Sequence, residues 1–268
     1  MYINPAWRIL TVGDGDLSFS HSLLKNYRPH ALTATIFDDY TSLSAKYGAD
    51  HFQQLQAQGC DVLTGFDVTN KETWGKLAEL DKHQFDAVFF QFPLLPAFNS
   101  AEDFKQQCLN VSVNTLHRRL LRTYLLHCFD YFLDSDGAQL AFITSKDVKP
   151  YRQWNIEHSL TLHSDIHYLG SMPFDIEKFP GYKIRNVDRD KHVKDTQGIT
   201  YIFSRRASTE LDDKMSKPNY LGDDYCPYCR VGPFYTEQDK QHHLASKKHL
   251  KMTIFEQQWL DDVGTFEK

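Results

Sequence analysis

From residue 8 to residue 144 the chain alternates five times between a short apolar run and a helical pattern, and few folds satisfy that rhythm. The runs are RILTV (8–12), ALTATIF (31–37), DVLTGF (61–66), FDAVFFQF (85–92) and AQLAFIT (138–144). The fourth is apolar almost without interruption, the pattern of a central strand covered on both faces. Helical patterns lie between them at about 17–27, 42–58, 69–80 and 113–133, the second closed by Gly59. Strands separated by helices pair in parallel through crossover connections. The rhythm therefore predicts an α/β fold with a mainly parallel sheet and helices on both faces.

After Thr144 the rhythm weakens. A helix near Trp154–His163 is expected, then strands at about 165–171 and 199–204, with a polar, turn-rich segment between them that is long for a plain loop. Residues 207–220 are polar, nearly free of large aliphatics and contain Pro218, which reads as a linker. The expected division is a domain over 1–206, a linker over 207–220 and a small module over 221–268.

With 41% hydrophobic residues among 268, the chain can bury a substantial core. A net charge of −5 argues against a strongly basic nucleic-acid coat but leaves room for local basic faces. Of the five cysteines, Cys60, Cys108 and Cys128 are scattered, while Cys226 and Cys229 form a C-x-x-C pair. That is no disulfide framework, and it reads as an intracellular protein with one metal-type pair. MYINPAWRIL lacks a basic stretch followed by an apolar one, so no signal peptide is expected. No apolar run approaches the roughly 18 residues of a membrane-spanning helix.

The first strand runs into Gly13-Asp14-Gly15-Asp16, where an open α/β sheet binds ligands. Glycines let the backbone approach a ligand closely. No lysine follows, and Ser18 stands where a dinucleotide fingerprint needs its third glycine. Two aspartates would repel a pyrophosphate but suit a ligand with an ammonium or sulfonium group and ribose hydroxyls. S-adenosylmethionine (SAM) has all of these and no phosphate. Asp38 ends the second strand, where an acidic side chain can bond ribose, and Asp67 ends the third, close to where an adenine would lie. Each aspartate taken alone is equally well read as turn or helix-cap chemistry.

The C-terminal segment YCPYCRVGPFYTEQDKQHHLASKKHLK carries the most specific signal. Cys226-x2-Cys229-x13-His243-x5-His249 falls within zinc-ligand spacing, with His242 as the alternative third ligand. A module this small cannot fold on its own core, so zinc would supply its folding energy. HLASKKH resembles the end of RNA-binding zinc fingers, which implies phosphate contacts from Lys247, Lys248 and Lys251. His117-Arg118-Arg119 with Arg122 form one other basic cluster, in which Arg118 and Arg122 share a helix face; it reads as a solvated helix face or as an RNA-phosphate contact.

Four motifs together resemble the ribosomal RNA uridine-N3 methyltransferase family. Its opening G-E-G-D-F-S-F-S stands here as Gly13-Asp14-Gly15-Asp16-Leu17-Ser18-Phe19-Ser20. Its F-D-x-I-I-F-N-F-P-H stands as Phe85 to Leu94, with Gln91 for the asparagine and Leu94 for the histidine. Its L-K-D-G-x-P-Y-x-x-W is matched by Ser145 to Trp154, and its P-F-D-x-x-x-[FY]-P-G-Y-x-x-R by Pro173 to Arg185. These motifs lie in order along residues 8–204. The resemblance implies a Rossmann-like class I methyltransferase sheet with an antiparallel final strand, to which the C-terminal segment adds a small ββα zinc finger. It implies SAM-dependent methylation of a base in ribosomal or other structured RNA, with Gly13, Asp14, Gly15, Asp38 and Asp67 lining the cofactor site. It places Gln91, Pro93, Lys146, Asp147, Tyr151 and Tyr182 around the acceptor. Removal of a uridine N3 proton needs a base within hydrogen-bond reach, for which Asp16 and Asp147 are the candidates. Tyr151, Trp154 and Tyr182 could stack an extruded base, although plain core packing is the commoner role for a tryptophan such as Trp154. Two other readings stay open: a non-catalytic RNA-binding or assembly protein that kept the fold, favoured by Gln91 and Leu94, and a SAM-dependent base amino-group methyltransferase. The expected compartment is cytoplasmic, or nucleolar in a eukaryote.

Overall fold

The computed structural model describes all residues except 80–83, 97, 99, 186–197, 209–210 and 267–268. Seven strands form one sheet: β1 (Arg8–Val12), β2 (Ala31–Thr35), β3 (Asp61–Leu63), β4 (Ala87–Gln91), β5 (Leu140–Lys146), β6 (His167–Phe174) and β7 (Gly198–Ser204). Their order is β3-β2-β1-β4-β5-β7-β6. The first five pair in parallel, and β7 runs antiparallel to both β5 and β6. The chain steps outward from β1 to β3 and then crosses back to place β4 on the other side of β1. That reversal opens a crevice at the carboxyl ends of β1 and β4.

Nine helices are described: α1 (Ser18–Tyr27), α2 (Tyr40–Tyr47), α3 (Asp50–Ala57), α4 (Lys76–Glu79), α5 (Ala101–Gln107), α6 (Val113–His127), α7 (Ile156–Ser159), α8 (Glu237–Leu244) and α9 (Lys247–Phe266). The helix expected over 42–58 is two helices, because Gly48 turns the chain at φ +79°. The helix expected over 69–80 is broken into a 3₁₀ turn at Lys71–Thr73, capped by the Asn70 carboxamide, and the single turn of α4, and its last residue lies outside the described residues. The helix expected near 154–163 shrinks to a 3₁₀ turn at Tyr151–Trp154 and the single turn of α7.

Alternation along the strands builds two cores, one on each face of the sheet. Val88 and Phe90 of β4 join Leu121, Tyr124 and Leu125 of α6 on one face. Ala87 and Phe89 join Phe19 and Leu23 of α1 on the other. Phe89 stacks on Phe142 with ring centroids 4.3 Å apart. Tyr124 donates its hydroxyl to the carbonyls of Val88 and Phe142, tying α6 to the sheet.

The C-terminal segment is part of this architecture. Trp259 and Val263 of α9 are fully buried within the α6-side core. The Trp259 indole N–H donates to the Ser159 carbonyl at 2.9 Å. Residues expected to form a plain linker are packed as well: Leu211 is fully buried, and Ser216 exchanges backbone hydrogen bonds with Ser171 beside β6. Two apolar side chains, Leu211 and Met215, suffice to hold that polar segment down.

Arg118 and Arg122 fit neither reading offered for them. Arg118 is fully buried and its guanidinium meets Glu256 of α9 at 2.6 Å. Arg122 donates to the carbonyls of Leu160 and Leu162. The two do share a face, but it is the one that α9 and the 160–162 turn cover. No described helix is long and apolar enough to cross a membrane.

Candidate functional site

A cavity of about 390 Å³ opens in the crevice between β1 and β4. It gathers Gly13, Asp14, Gly15, Asp16, Asp38, Asp67, Gln91, Pro93 and Tyr182 from five separate stretches of chain.

The floor is the glycine turn. Gly13 sits at φ +62°, where a side chain is strained, and a Cβ there would lie 2.8 Å from the Phe90 ring. Leu17 precedes α1 in a left-handed conformation and offers no capping side chain, so the amides of the first turn need other partners. The two aspartates supply them. The Asp14 carboxylate accepts from the amides of Phe19 and Ser20, and Asp16 accepts from the amide of Ser18 at 3.0 Å. A phosphate at this turn would need those same amides. Asp14 and Asp16 thus perform the helix-cap chemistry that was the plainer reading of them, and by doing so they close the turn to phosphate. Asp14 is buried, and desolvation, offset in part by its hydrogen bonds, pushes its carboxyl up to about 6.

Asp38 stands at the end of β2, and both of its oxygens accept from the Lys46 ammonium at 2.9 Å. Its neighbour Asp39 caps α2 instead, accepting from the Ser42 amide. The Asp67 carboxylate accepts from the amide and hydroxyl of Thr69. A strap, 182–185, crosses above the turn. The Lys183 amide donates to the Ser18 hydroxyl, and the Arg185 guanidinium meets Asp16 at 2.7 Å. Tyr182, the first residue of the strap, makes edge contact with Phe19, and burial pushes its phenol well up.

The opposite wall starts where β4 ends. Phe92 turns off the strand at φ +49°, a conformation that costs a non-glycine residue of order 1–3 kcal/mol and tends to persist at functional sites. The bend is pinned by the Phe92 amide, which donates to the Thr144 carbonyl at 2.8 Å. Beside it the Gln91 carboxamide is buried in the cavity wall, and neither its nitrogen nor its oxygen has a hydrogen-bond partner within the protein. An amide in that state carries a desolvation penalty of about 1–3 kcal/mol per group. Leu116, Arg119, Leu120 and Thr123 of α6 complete this wall.

Lys146 and Asp147 are not brought into the cavity. Lys146 lies near the Tyr151 ring, and burial lowers its ammonium. Asp147 pairs with Arg152 at 2.7 Å and with Arg230 at 3.0 Å, and those arginines hold its carboxyl below the usual carboxylate range. Trp154 is buried under the His117 ring, stacked at 4.5 Å, and packs in the core. The sequence reading missed Phe37, Tyr47, Thr69 and Thr123 as lining residues and Arg185 as the partner of Asp16, and it placed Arg119 in the basic cluster of α6 without separating it from the Arg118/Arg122 face. Arg119 and Thr123 were legible in principle. They share a helix face, rotated about 100° from the Arg118/Arg122 face.

A second cluster lies in the C-terminal segment. The donor atoms of Cys226, Cys229, His243 and His249 all lie within 4.8 Å of one another. The His249 Nδ1 stands 3.4 Å from the Cys226 sulfur and 3.7 Å from that of Cys229. A tetrahedral zinc with Zn–S of about 2.3 Å and Zn–N of about 2.0 Å requires ligand edges of about 3.3–3.8 Å. The His243 Nε2 is buried without a hydrogen-bond partner, as an unmet ligand would be. His242 is exposed on the neighbouring face of α8. Of the three lysines expected to meet phosphate, Lys248 turns back to donate to the Cys229 carbonyl, while Lys247 and Lys251 are exposed.

The chain is 26% identical over 211 residues to the mouse ferredoxin-fold anticodon-binding domain-containing protein 1 homolog, covering 74% of this chain and 31% of that protein. It is 27% identical over 216 residues to heavy metal-associated isoprenylated plant protein 41 of Arabidopsis thaliana, covering 78% and 39% respectively. The chain thus spans roughly a third of the length of these relatives. Among solved structures it is similar to a putative tRNA (m1A22) methyltransferase of Streptococcus pneumoniae in complex with SAM, at a TM-score of 0.44 and 8% identity over 97% of this chain and 94% of that one. It is also similar to the Bacillus subtilis M1A22 tRNA methyltransferase TrmK, at 0.42 and 12% over 97% and 93%. The model of one family matches residues 10–186, about two thirds of the chain, from β1 to the strap. By that match the chain belongs to the BMT5-like family, described as rRNA (uridine-N3-)-methyltransferase BTM5-like.

Proposed function

We propose that this chain is a SAM-dependent methyltransferase acting on a base of ribosomal or other structured RNA. The observation that carries this reading is the polarity of the cavity. Four carboxylates line the half formed by the ends of β1, β2 and β3, and a buried, unpartnered carboxamide marks the half formed by β4 and α6. The acidic half suits a ligand with an ammonium, a sulfonium and ribose hydroxyls, and its helix amides are already taken, so a phosphate is disfavoured. Gly13, Asp14 and Gly15 would hold the amino-acid end of SAM, Asp38 the ribose and Asp67 the edge near adenine. SAM supplies an electrophilic methyl group. What the protein adds is the alignment of the acceptor, a contribution of roughly 7–11 kcal/mol in well-oriented reactions.

Gln91 presents an NH2 with two donor hydrogens and a carbonyl oxygen with two lone pairs to the acceptor half, which can meet the alternating acceptors and donor of a uracil edge. Pro93 stiffens the corner behind it, and Tyr182 offers a ring over the cavity. Of the two candidate bases for the N3 proton, Asp147 lies outside the cavity, whereas Asp16 lines it, paired with Arg185 of the strap. The Cys226, Cys229, His243 and His249 set fits zinc, with residues 221–268 as its module and the exposed Lys247 and Lys251 directed at RNA.

Calorimetry with SAM tests the cofactor half. SAM is expected to bind more tightly with rising pH across the value of about 6 for Asp14, because its ammonium favours the ionised carboxylate. Affinity is full above that window and falls by up to about tenfold per pH unit below it. The Asp14 contribution to the stability of the ligand-free protein has the opposite sign. Its folded value lies above the ordinary 3.8, so that contribution is complete below 3.8 and is lost as pH rises through about 6. A SAM affinity that is flat from pH 5 to 7.5, or absent, would count against the assignment. Nucleoside mass spectrometry of RNA from cells lacking the protein tests the acceptor. Loss of N3-methyluridine supports the uridine reading, loss of an amino-methylated base supports the alternative acceptor, and no loss removes methyl transfer.

A further inference from the structure

Arg119 lies on the cavity face of α6, set between Leu116 and Leu120. Lys183 and Arg185, which also line the cavity, belong to the strap over the glycine turn. The Arg119 guanidinium is gripped from behind by Asp262 of α9: its Nε lies 3.0 and 2.8 Å from the two carboxylate oxygens, and a terminal nitrogen also contacts Asp262. The carboxylate is only 4% exposed, whereas the arginine side chain keeps 34% of its surface accessible. A two-pronged pair of this kind holds the guanidinium plane in one orientation. Apolar neighbours at the mouth of a low-dielectric cleft strengthen the field of a charge placed there.

We propose that Arg119 binds a phosphate of the acceptor nucleotide and that Asp262, delivered by the C-terminal helix, is the positioning residue that aims it. This rests on the reading of the cavity as a methyltransferase site. A nucleotide entering beside Gln91 carries its charge on the phosphates that flank the base, and α6 is the wall where that charge can be met. The four carboxylates opposite would repel the same phosphates, so the cavity sorts a cationic cofactor to one side and an anionic acceptor to the other. The α9 helix therefore contributes to substrate binding without entering the cavity, and a chain ending before it would keep the cofactor half but lose the aim of Arg119.

The test uses the whole 268-residue chain, loaded with zinc and with S-adenosylhomocysteine bound, and compares uridine with uridine 3′,5′-bisphosphate as probes by ligand-observed NMR titration. The bisphosphate is expected to bind at least about tenfold tighter than uridine, in the range of one charge-assisted phosphate contact. Arg119→Met should abolish that advantage while uridine binding and SAM affinity stay within twofold, Arg119→Lys should restore part of it, and Asp262→Asn should reduce it. Melting temperatures verify that each variant is folded, and Arg119→Lys keeps the test decisive if Asp262→Asn is not. Equal binding of the two probes, an advantage that survives Arg119→Met, or failure of both probes to bind a protein that still binds SAM would each overturn the proposal. Failure of SAM or its homocysteine analogue to bind the unaltered protein would instead remove the methyltransferase reading.

Discussion

Gln91→Leu is expected to lower methyl transfer to RNA by about 100-fold or more while leaving the protein at least as stable as before. The two effects have one cause. Both polar atoms of the Gln91 amide are buried without partners, so the folded, ligand-free protein bears their desolvation cost. Replacing the amide by an apolar group of similar size removes that cost and breaks no internal hydrogen bond, which should raise stability by about 1 kcal/mol and the melting temperature by roughly 2–4 °C. The acceptor then loses the group that would align its polar edge. SAM affinity should stay within twofold, because the cofactor half is built from β1, β2 and β3. Gln91→Asn retracts the amide by one methylene, on the order of 1 Å, and should give an intermediate rate. Single-turnover transfer with calorimetric SAM binding and thermal melting reads all three quantities. A variant that is both less active and less stable would make Gln91 an ordinary packing residue.

Removal of metal is expected to destabilise the whole chain rather than release a loose module. Cys229→Ser, or chelation of the unaltered protein, should lower the melting temperature by roughly 10 °C while leaving one cooperative transition. The reason is where the segment is anchored. Arg230 follows the second cysteine directly and reaches Asp147 at the end of β5, Glu157 of α7 and the hydroxyl of Tyr201 on β7. Trp259 and Val263 complete the core over α6, and Glu256 neutralises the buried Arg118. Loosening α9 would expose that tryptophan and leave a buried arginine uncompensated, each costing about 3–5 kcal/mol. Hydrogen exchange should therefore quicken along 113–127 as well as in the segment itself. Two separate transitions, with exchange in α6 unchanged, would show an independent module and sink this expectation.

Much of the sheet was legible because its strands announce themselves twice, by apolar runs and by the loops that end them. β1 and β4 lie within a residue or two of the expected limits, since a strand covered on both faces cannot hide a polar residue. The helices were read less well where a glycine or a cap interrupts a pattern that still looks periodic, as at Gly48. The acidic half of the cavity was legible because its residues sit at strand ends on consecutive units, where sequence order and spatial order coincide. The half at β4 and α6 was only partly legible. Gln91 and Pro93 stand at a strand end and were found, but Lys146 and Asp147 stand at another and turn away from the cavity, toward Tyr151 and Arg230.

The sequence by itself determined the parallel α/β frame, the glycine turn with its carboxylates and the four Cys and His positions, because each depends on local periodicity or on short spacing. It also excluded a phosphate loop, although the physical reason emerged only in three dimensions: the aspartates occupy the amides that a phosphate would use. Tertiary structure alone decided which face of α6 meets the cavity. Periodicity groups Arg118 with Arg122 and Arg119 with Thr123, but it cannot say which group faces inward. That choice belongs to α9, more than a hundred residues away in sequence, which covers one face with Trp259 and Glu256 and reaches round with Asp262 to steer the arginine of the other.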